Sequence, residues 1–130
     1  MEHEFDDAAD RPVLRTTDHD GIAVVELAGE LDMKTAKTSL ASVLHVVDQR
    51  PEGIVVDLQA VTFFGSAGIS MLISVQYEAG QQGVPFGIAA AQKAVMRTLT
   101  MSGMNMRLPL FSTVPEAVDA LRASAAPPQG

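Results

Sequence analysis

The chain of 130 residues has no cysteine and no tryptophan, and it has a single tyrosine. Without cysteine there can be no disulfide, no thiolate chemistry and no cysteine-type zinc site, a composition compatible with a reducing compartment. With so few large aromatics the core has to be aliphatic. The 47% of hydrophobic residues then rests on Val, Ile, Leu, Ala and Met, which suits strands packed under helices. No run approaches the roughly 20 apolar residues of a membrane span, and the acidic start is the opposite of the basic opening of a signal peptide. The expected location is the cytoplasm.

Positive charge is also scarce. Nine Lys and Arg stand against 16 Asp and Glu, a formal charge of −7, and much of the excess lies in Glu2, Glu4, Asp6, Asp7 and Asp10, opposed only by Arg11. No Lys/Arg stripe remains to neutralise phosphates, which argues against direct nucleic-acid binding. The length suits one compact domain. Residues 1–12, and 124–130 with their small and proline-rich composition, are expected to be disordered tails around a domain spanning 13–123.

Inside that domain strand and helix signals alternate. Val13–Thr16 and Ile22–Ala28 read as strands closed by the turn residues Asp18-His19-Asp20-Gly21. Ala36, Leu40, Val43, Leu44 and Val47 then recur at helical spacing, with Asp32 placed as the cap and Pro51 and Gly53 beyond the end. Ile54–Leu58 is an apolar run without alternation, as in a covered strand, and Gln59–Phe64 reads as a loop. A second helix is expected from about Ser66 to Gln82, stopped by Gly83. A strand at Phe86–Ala90 and a helix at Gln92–Ser102, with Val95, Leu99 and Ser102 inward and Gly103 ending it, come next. A strand at Leu108–Phe111 and a last helix to about Ala123 complete the chain, the helix opened by a Thr113/Glu116 capping box. The order β-β-α-β-α-β-α-β-α calls for an α/β domain with a mixed, mostly parallel sheet of about five strands and four helices. Such sheets carry function at the carboxyl ends of their strands, where the Leu58–Ser66 turn falls.

Catalytic patterns are missing. There is no G-x-G-x-x-G and no G-x-x-x-x-G-K-[ST], and Gly65-Ser66-Ala67-Gly68 lacks the G-x-S-x-G spacing of a hydrolase elbow. His3, His19 and His45 have no metal-ligand spacing, and His45 reads as a surface position. Neither a metal nor a cofactor is implied, and the chain reads as a non-enzyme. Ser66 has two readings: a simple N-cap, or an exposed hydroxyl between small residues that another protein can approach. Asp32 likewise can cap its helix or meet a basic residue of a partner. Asp57, expected to end a strand close to Ser66, can orient the loop or be solvated, and Met71, Met96, Met101, Met104 and Met106 can form an adaptable binding face or fill the core.

Three strings, Val24–Asp32 (VVELAGELD), Ile54–Leu58 (IVVDL) and Val61–Ile69 (VTFFGSAGI), closely resemble the STAS domain of bacterial anti-sigma-factor antagonists. Val95, Arg97, Leu99, the Ser102-Gly103-Met104 turn, Phe111 and Glu116-Ala117 extend the likeness, which covers about residues 13–123. The resemblance implies a cytoplasmic protein-binding switch. Its partner would be an anti-sigma factor, usually a serine kinase of the ATPase fold, and a serine phosphatase would reverse the kinase. Ser66 is then the phosphorylated residue, and Asp32, Phe64, Gly65, Ser66, Ala67, Gly68 and Ile69 the expected partner-binding surface. Many members have Asp before this serine and a second hydroxyl after it. Gly65 and Ala67 stand there in this chain, leaving Ser66 the sole acceptor at the site. Two other functions stay open: a scaffold or accessory STAS subunit of a signalling or transport assembly, and a nucleotide-binding module.

Overall fold

The computed structural model describes residues 13–125. The expected tails, with His3, lie outside the described residues, apart from Ser124 and Ala125, which end the last helix. The elements run β1 (Val13–His19), β2 (Ile22–Leu31), α1 (Met33–Asp48), β3 (Gly53–Phe64), α2 (Ser66–Gln81), β4 (Phe86–Ala89), α3 (Lys93–Ser102), a 3-10 turn (Met104–Met106), β5 (Leu110–Phe111) and α4 (Val114–Ala125). Among the described residues this is the α/β order expected, with four helices and one five-stranded sheet in the order β1-β2-β3-β4-β5. The β1–β2 pair is antiparallel and every other pair is parallel. At the hairpin Asp20 and Gly21 both adopt positive φ, 55° and 97°. That matches the right-handed twist of the strands, and the Asp18 carboxylate accepts from the Gly21 N–H.

Successive strand residues point to opposite faces, so the sheet has two cores. Val25, Leu27, Ile54, Val56, Leu58 and Ile88 meet α1, α2 and α3 through Val43, Val47, Leu72, Val75 and Leu99. On the other face Ile22, Val24, Val55 and Ala89 meet only α4, through Ala117, Val118 and Leu121. With both faces of β3 covered, the unalternating run Ile54–Leu58 follows.

Several boundaries differ from expectation. β1 and β2 run on to His19 and Leu31, and the last strand shrinks to Leu110–Phe111. Ser102 is exposed, its hydroxyl turned back to the Leu99 carbonyl, and on α1 Ser39 is buried while Leu40 and Leu44 are only partly so. At the last helix Thr113 caps as expected, but the Glu116 carboxylate accepts from the Ser112 N–H rather than from Thr113. The largest correction is Gln59–Phe64. It is the second half of β3, not a loop, because it pairs with the end of β2: Ala28 with Ala60, Gly29 with Val61, Glu30 with Phe63 and Leu31 with Phe64. Register shifts after Glu26 and after Gly29 break the alternation that would otherwise mark it.

Candidate functional site

β4 pairs with β3 only as far as Asp57, so beyond that point one edge of β3 loses its neighbour. Backbone carbonyls there need other donors. Side chains of α3 supply them. The Gln92 amide donates to the carbonyls of Leu58 and Val61, and the Thr98 hydroxyl donates to the Phe64 carbonyl at 2.8 Å. Helix α3 thus fixes the strand end from which the candidate serine emerges.

That serine is not a cap. Gly65 holds the N-cap position with extended backbone (φ −113°, ψ −162°), no side chain caps this end of α2, and Ser66 is the first helical residue. Its side chain is exposed and its hydroxyl makes no hydrogen bond among the described residues. The Gly68 N–H bonds to the Gly65 carbonyl, and with no N-cap side chain the Ser66 and Ala67 N–H groups and the positive end of the helix dipole are left beside the hydroxyl. Gly65, Ala67 and Ile69 are partly exposed around it. Phe64 and Gly68, expected in the partner surface, are buried. Phe64 ends a strand pointing into the core and is 2% exposed, while Gly68 is the space its ring occupies. The aromatic that does reach the surface is Phe63, 51% exposed.

Because Leu31 and Phe64 are paired neighbours, α1 and α2 start side by side. Asp32 caps α1 in a reciprocal box: its Oδ1 accepts from the N–H groups of Lys34 and Thr35, and the Thr35 hydroxyl accepts from the Asp32 N–H. The hydrogen bonds from Thr35, first its backbone N–H and then its hydroxyl, hold the Asp32 carboxyl below its ordinary pKa. Of the two readings of Asp32, capping is therefore met by geometry. Between the two helices runs an open groove of about 410 Å³, lined by Met33, Lys37, Leu40, Ser66, Ser70 and Met71 among others. On the other side of the loop a second depression of about 330 Å³ gathers Thr62, Phe63, Lys93 and Arg97.

Met33, 85% exposed, and Lys37 share the groove with the serine, and Phe63 lies against Gly65 before it; sequence reasoning missed all three. For Phe63 the only signal was the pair Phe63-Phe64, of which a strand can bury one member on each face, and the bulges hid which. Met71 is core, Met96 and Met104 pack against it, and Met101 and Met106 are exposed without lining the groove. His19 and His45 are on the surface. Asp57 does not end a strand near Ser66. It sits within β3, 8% exposed on the α4 face, where its Oδ1 accepts from the Gln59 N–H at 3.0 Å. Burial pushes its carboxyl above the ordinary range, and the adjacent Glu26 adds to this against the hydrogen bond from Gln59.

No helix among the described residues is long and apolar enough to cross a membrane. The fold is a mostly parallel sheet with three helices on one face, one on the other and an exposed serine at the mouth of the second helix. Residues 13–117 match the STAS domain model, and the chain belongs to the STAS domain family. It is 34% identical over 115 residues to the anti-sigma-F factor antagonist RsfB of Mycobacterium tuberculosis, which covers 88% of this chain and 93% of that protein. The anti-sigma F factor antagonist of Paenibacillus polymyxa is 27% identical over 104 residues, covering 79% of this chain and 89% of that one. The crystal structure of an anti-sigma factor antagonist from Mycobacterium paratuberculosis superposes with a TM-score of 0.78 at 35% identity, covering 85% of this chain and 92% of that chain.

Proposed function

We propose that this protein is an anti-sigma-factor antagonist, a non-enzymatic binding switch that holds an anti-sigma factor while Ser66 bears a free hydroxyl and releases it when Ser66 is phosphorylated. The observation that carries the reading is the position of Ser66: exposed, uncapped and first in α2. Likeness to anti-sigma factor antagonists over most of both chains supports the partner class. The partner is a serine kinase of the ATPase fold. In the modification the Ser66 Oγ attacks the γ-phosphorus of ATP, the bond to the β-phosphate oxygen breaks, ADP leaves, and the hydroxyl proton passes to a base of the kinase. A serine phosphatase restores the hydroxyl with water and frees inorganic phosphate.

The fold accommodates the product, because a charge of about −1.5 to −2 at a helix N-terminus is favoured by the dipole and by free N–H groups. Its cost falls on the complex. Met33, Ala36, Leu40, Ala67 and Met71 share the groove with Ser66, and a phosphate that a partner has to desolvate there costs several kcal/mol, about tenfold in affinity for every 1.4 kcal/mol.

The test is to incubate the purified protein with purified ATPase-fold anti-sigma factors and ATP, to map phosphate by mass spectrometry, and to measure binding before and after. Phosphate confined to Ser66 with at least a hundredfold loss of affinity is expected. Ser66→Ala is expected to bind and resist the kinase, and Ser66→Asp to fold but bind weakly. Undiminished binding by the phosphorylated protein would overturn the reading.

A further inference from the structure

Lys37 has an unusual position for a lysine. On α1 the residues three and four places away are Met33, Lys34, Leu40 and Ala41, so no carboxylate of its own helix can pair with it. Among the described residues it makes no ion pair with any other element. Asp32, the nearest acid in sequence, spends its Oδ1 on the cap of α1. Lys37 nevertheless lines the same groove as Ser66, and among the described residues it is the one charged residue of the lining, which is otherwise Met33, Ala36, Leu40, Ala67, Met71 and two serines. A cation without a counter-ion among the described residues therefore lines, with apolar neighbours, the same groove as the hydroxyl proposed to gain a dianion.

We propose that Lys37 is the intramolecular counter-ion of phosphorylated Ser66: its ammonium pairs with the phosphate across the α1–α2 groove and holds it there. This deepens the proposed switch and rests on Ser66 being its modification site. The unphosphorylated groove is apolar with a single positive charge, which suits an acidic or apolar element of the partner. Once phosphorylated, the same groove is bridged and net negative. Lys37 thus favours the dianionic form of the phosphate and keeps it turned into the groove, where a phosphatase has to pull it from the lysine. Arg97 lines the neighbouring depression, which excludes Ser66, and serves as the control.

The experiment uses full-length protein with phosphoserine installed at position 66 during translation, so that no kinase is needed. The phosphate is titrated by phosphorus-31 NMR in the wild-type background and in Lys37→Gln, Lys37→Arg and Arg97→Gln. Removing the ammonium is expected to raise the second phosphate pKa, strengthening proton binding about threefold or more, with Lys37→Arg and Arg97→Gln staying near wild type. The helix N-terminus is common to all four proteins and cancels. Superimposable titrations of wild type and Lys37→Gln, or an equal shift in Arg97→Gln, would sink the assignment. Matching melting curves of the unphosphorylated variants verify that the fold is intact. Anti-sigma binding measured on the same samples judges the switch separately: a phosphoserine protein that still binds tightly removes the switch, whereas the titration alone decides the Lys37 contact.

Discussion

Gly68 and Phe64 share one volume: a Cβ built on Gly68 would stand 2.5 Å from Cε1 of the Phe64 ring. That contact seats the first turn of α2 on the end of β3 and sets where Ser66 emerges. The ring is buried and cannot swing away, so Gly68→Ala is expected to destabilise the domain by about 1–3 kcal/mol. Urea denaturation measures it. Unchanged stability would mean that the ring relocates freely.

The α3 side chains that satisfy the free edge of β3 offer a second test. Gln92→Ala leaves the Leu58 and Val61 carbonyls without their donor and is expected to cost about 1–3 kcal/mol. Thr98→Val removes a single bond, to Phe64, and should cost about 1 kcal/mol. Amide hydrogen exchange localises the effect, with faster exchange expected through the second half of β3 and the first turn of α2.

Two carboxylates should respond to pH with opposite sign. Asp32 has a lowered pKa, so its contribution to stability is present above the ordinary value of 3.8 and is lost as pH falls through the lowered one. Asp57 has a raised pKa: folding is favoured below 3.8 and that advantage is lost as pH rises through the raised value. Asp57→Asn keeps an acceptor for the Gln59 N–H and should therefore be more stable than wild type at neutral pH, the gap narrowing in acid. Asp32→Asn still caps α1, so melting should change little near neutrality, and weakened partner binding by that variant would report a contact made by the charge.

The exposed apolar side chains beside the serine should matter to binding and not to folding. Phe63→Ser and Met33→Ser are each expected to weaken anti-sigma binding about tenfold or more while moving stability by less than about 0.5 kcal/mol. Calorimetric titration paired with thermal melting separates the two quantities. Unaltered affinity in both variants would take this surface out of the interface.

Where a signal was local, it could be read directly. Gly83 and Gly103 end α2 and α3 at φ of 70° and 79°, conformations that glycine reaches at little steric cost, and Asp32 caps α1 because its carboxylate and the first-turn N–H groups are only residues apart. The second half of β3 could not be read in that way. Its partner strand lies some thirty residues earlier and is joined through two register shifts, and the donors for its other edge come from Gln92 and Thr98, a similar distance later. Ser66 was legible as the distinctive residue of its segment but not as N1 rather than N-cap, since one residue of helix boundary decides between them.

The sequence by itself determined the alternation of strands and helices, the aliphatic core and the family likeness, because each depends on periodicity, composition or order along the chain. Only the tertiary structure decided that Phe63 faces outward and Phe64 inward, that Gly68 makes room for a ring, and that Lys37 shares a groove with Ser66. Those relations join residues on different elements, and their geometry is set by strand register and helix packing that no local pattern encodes.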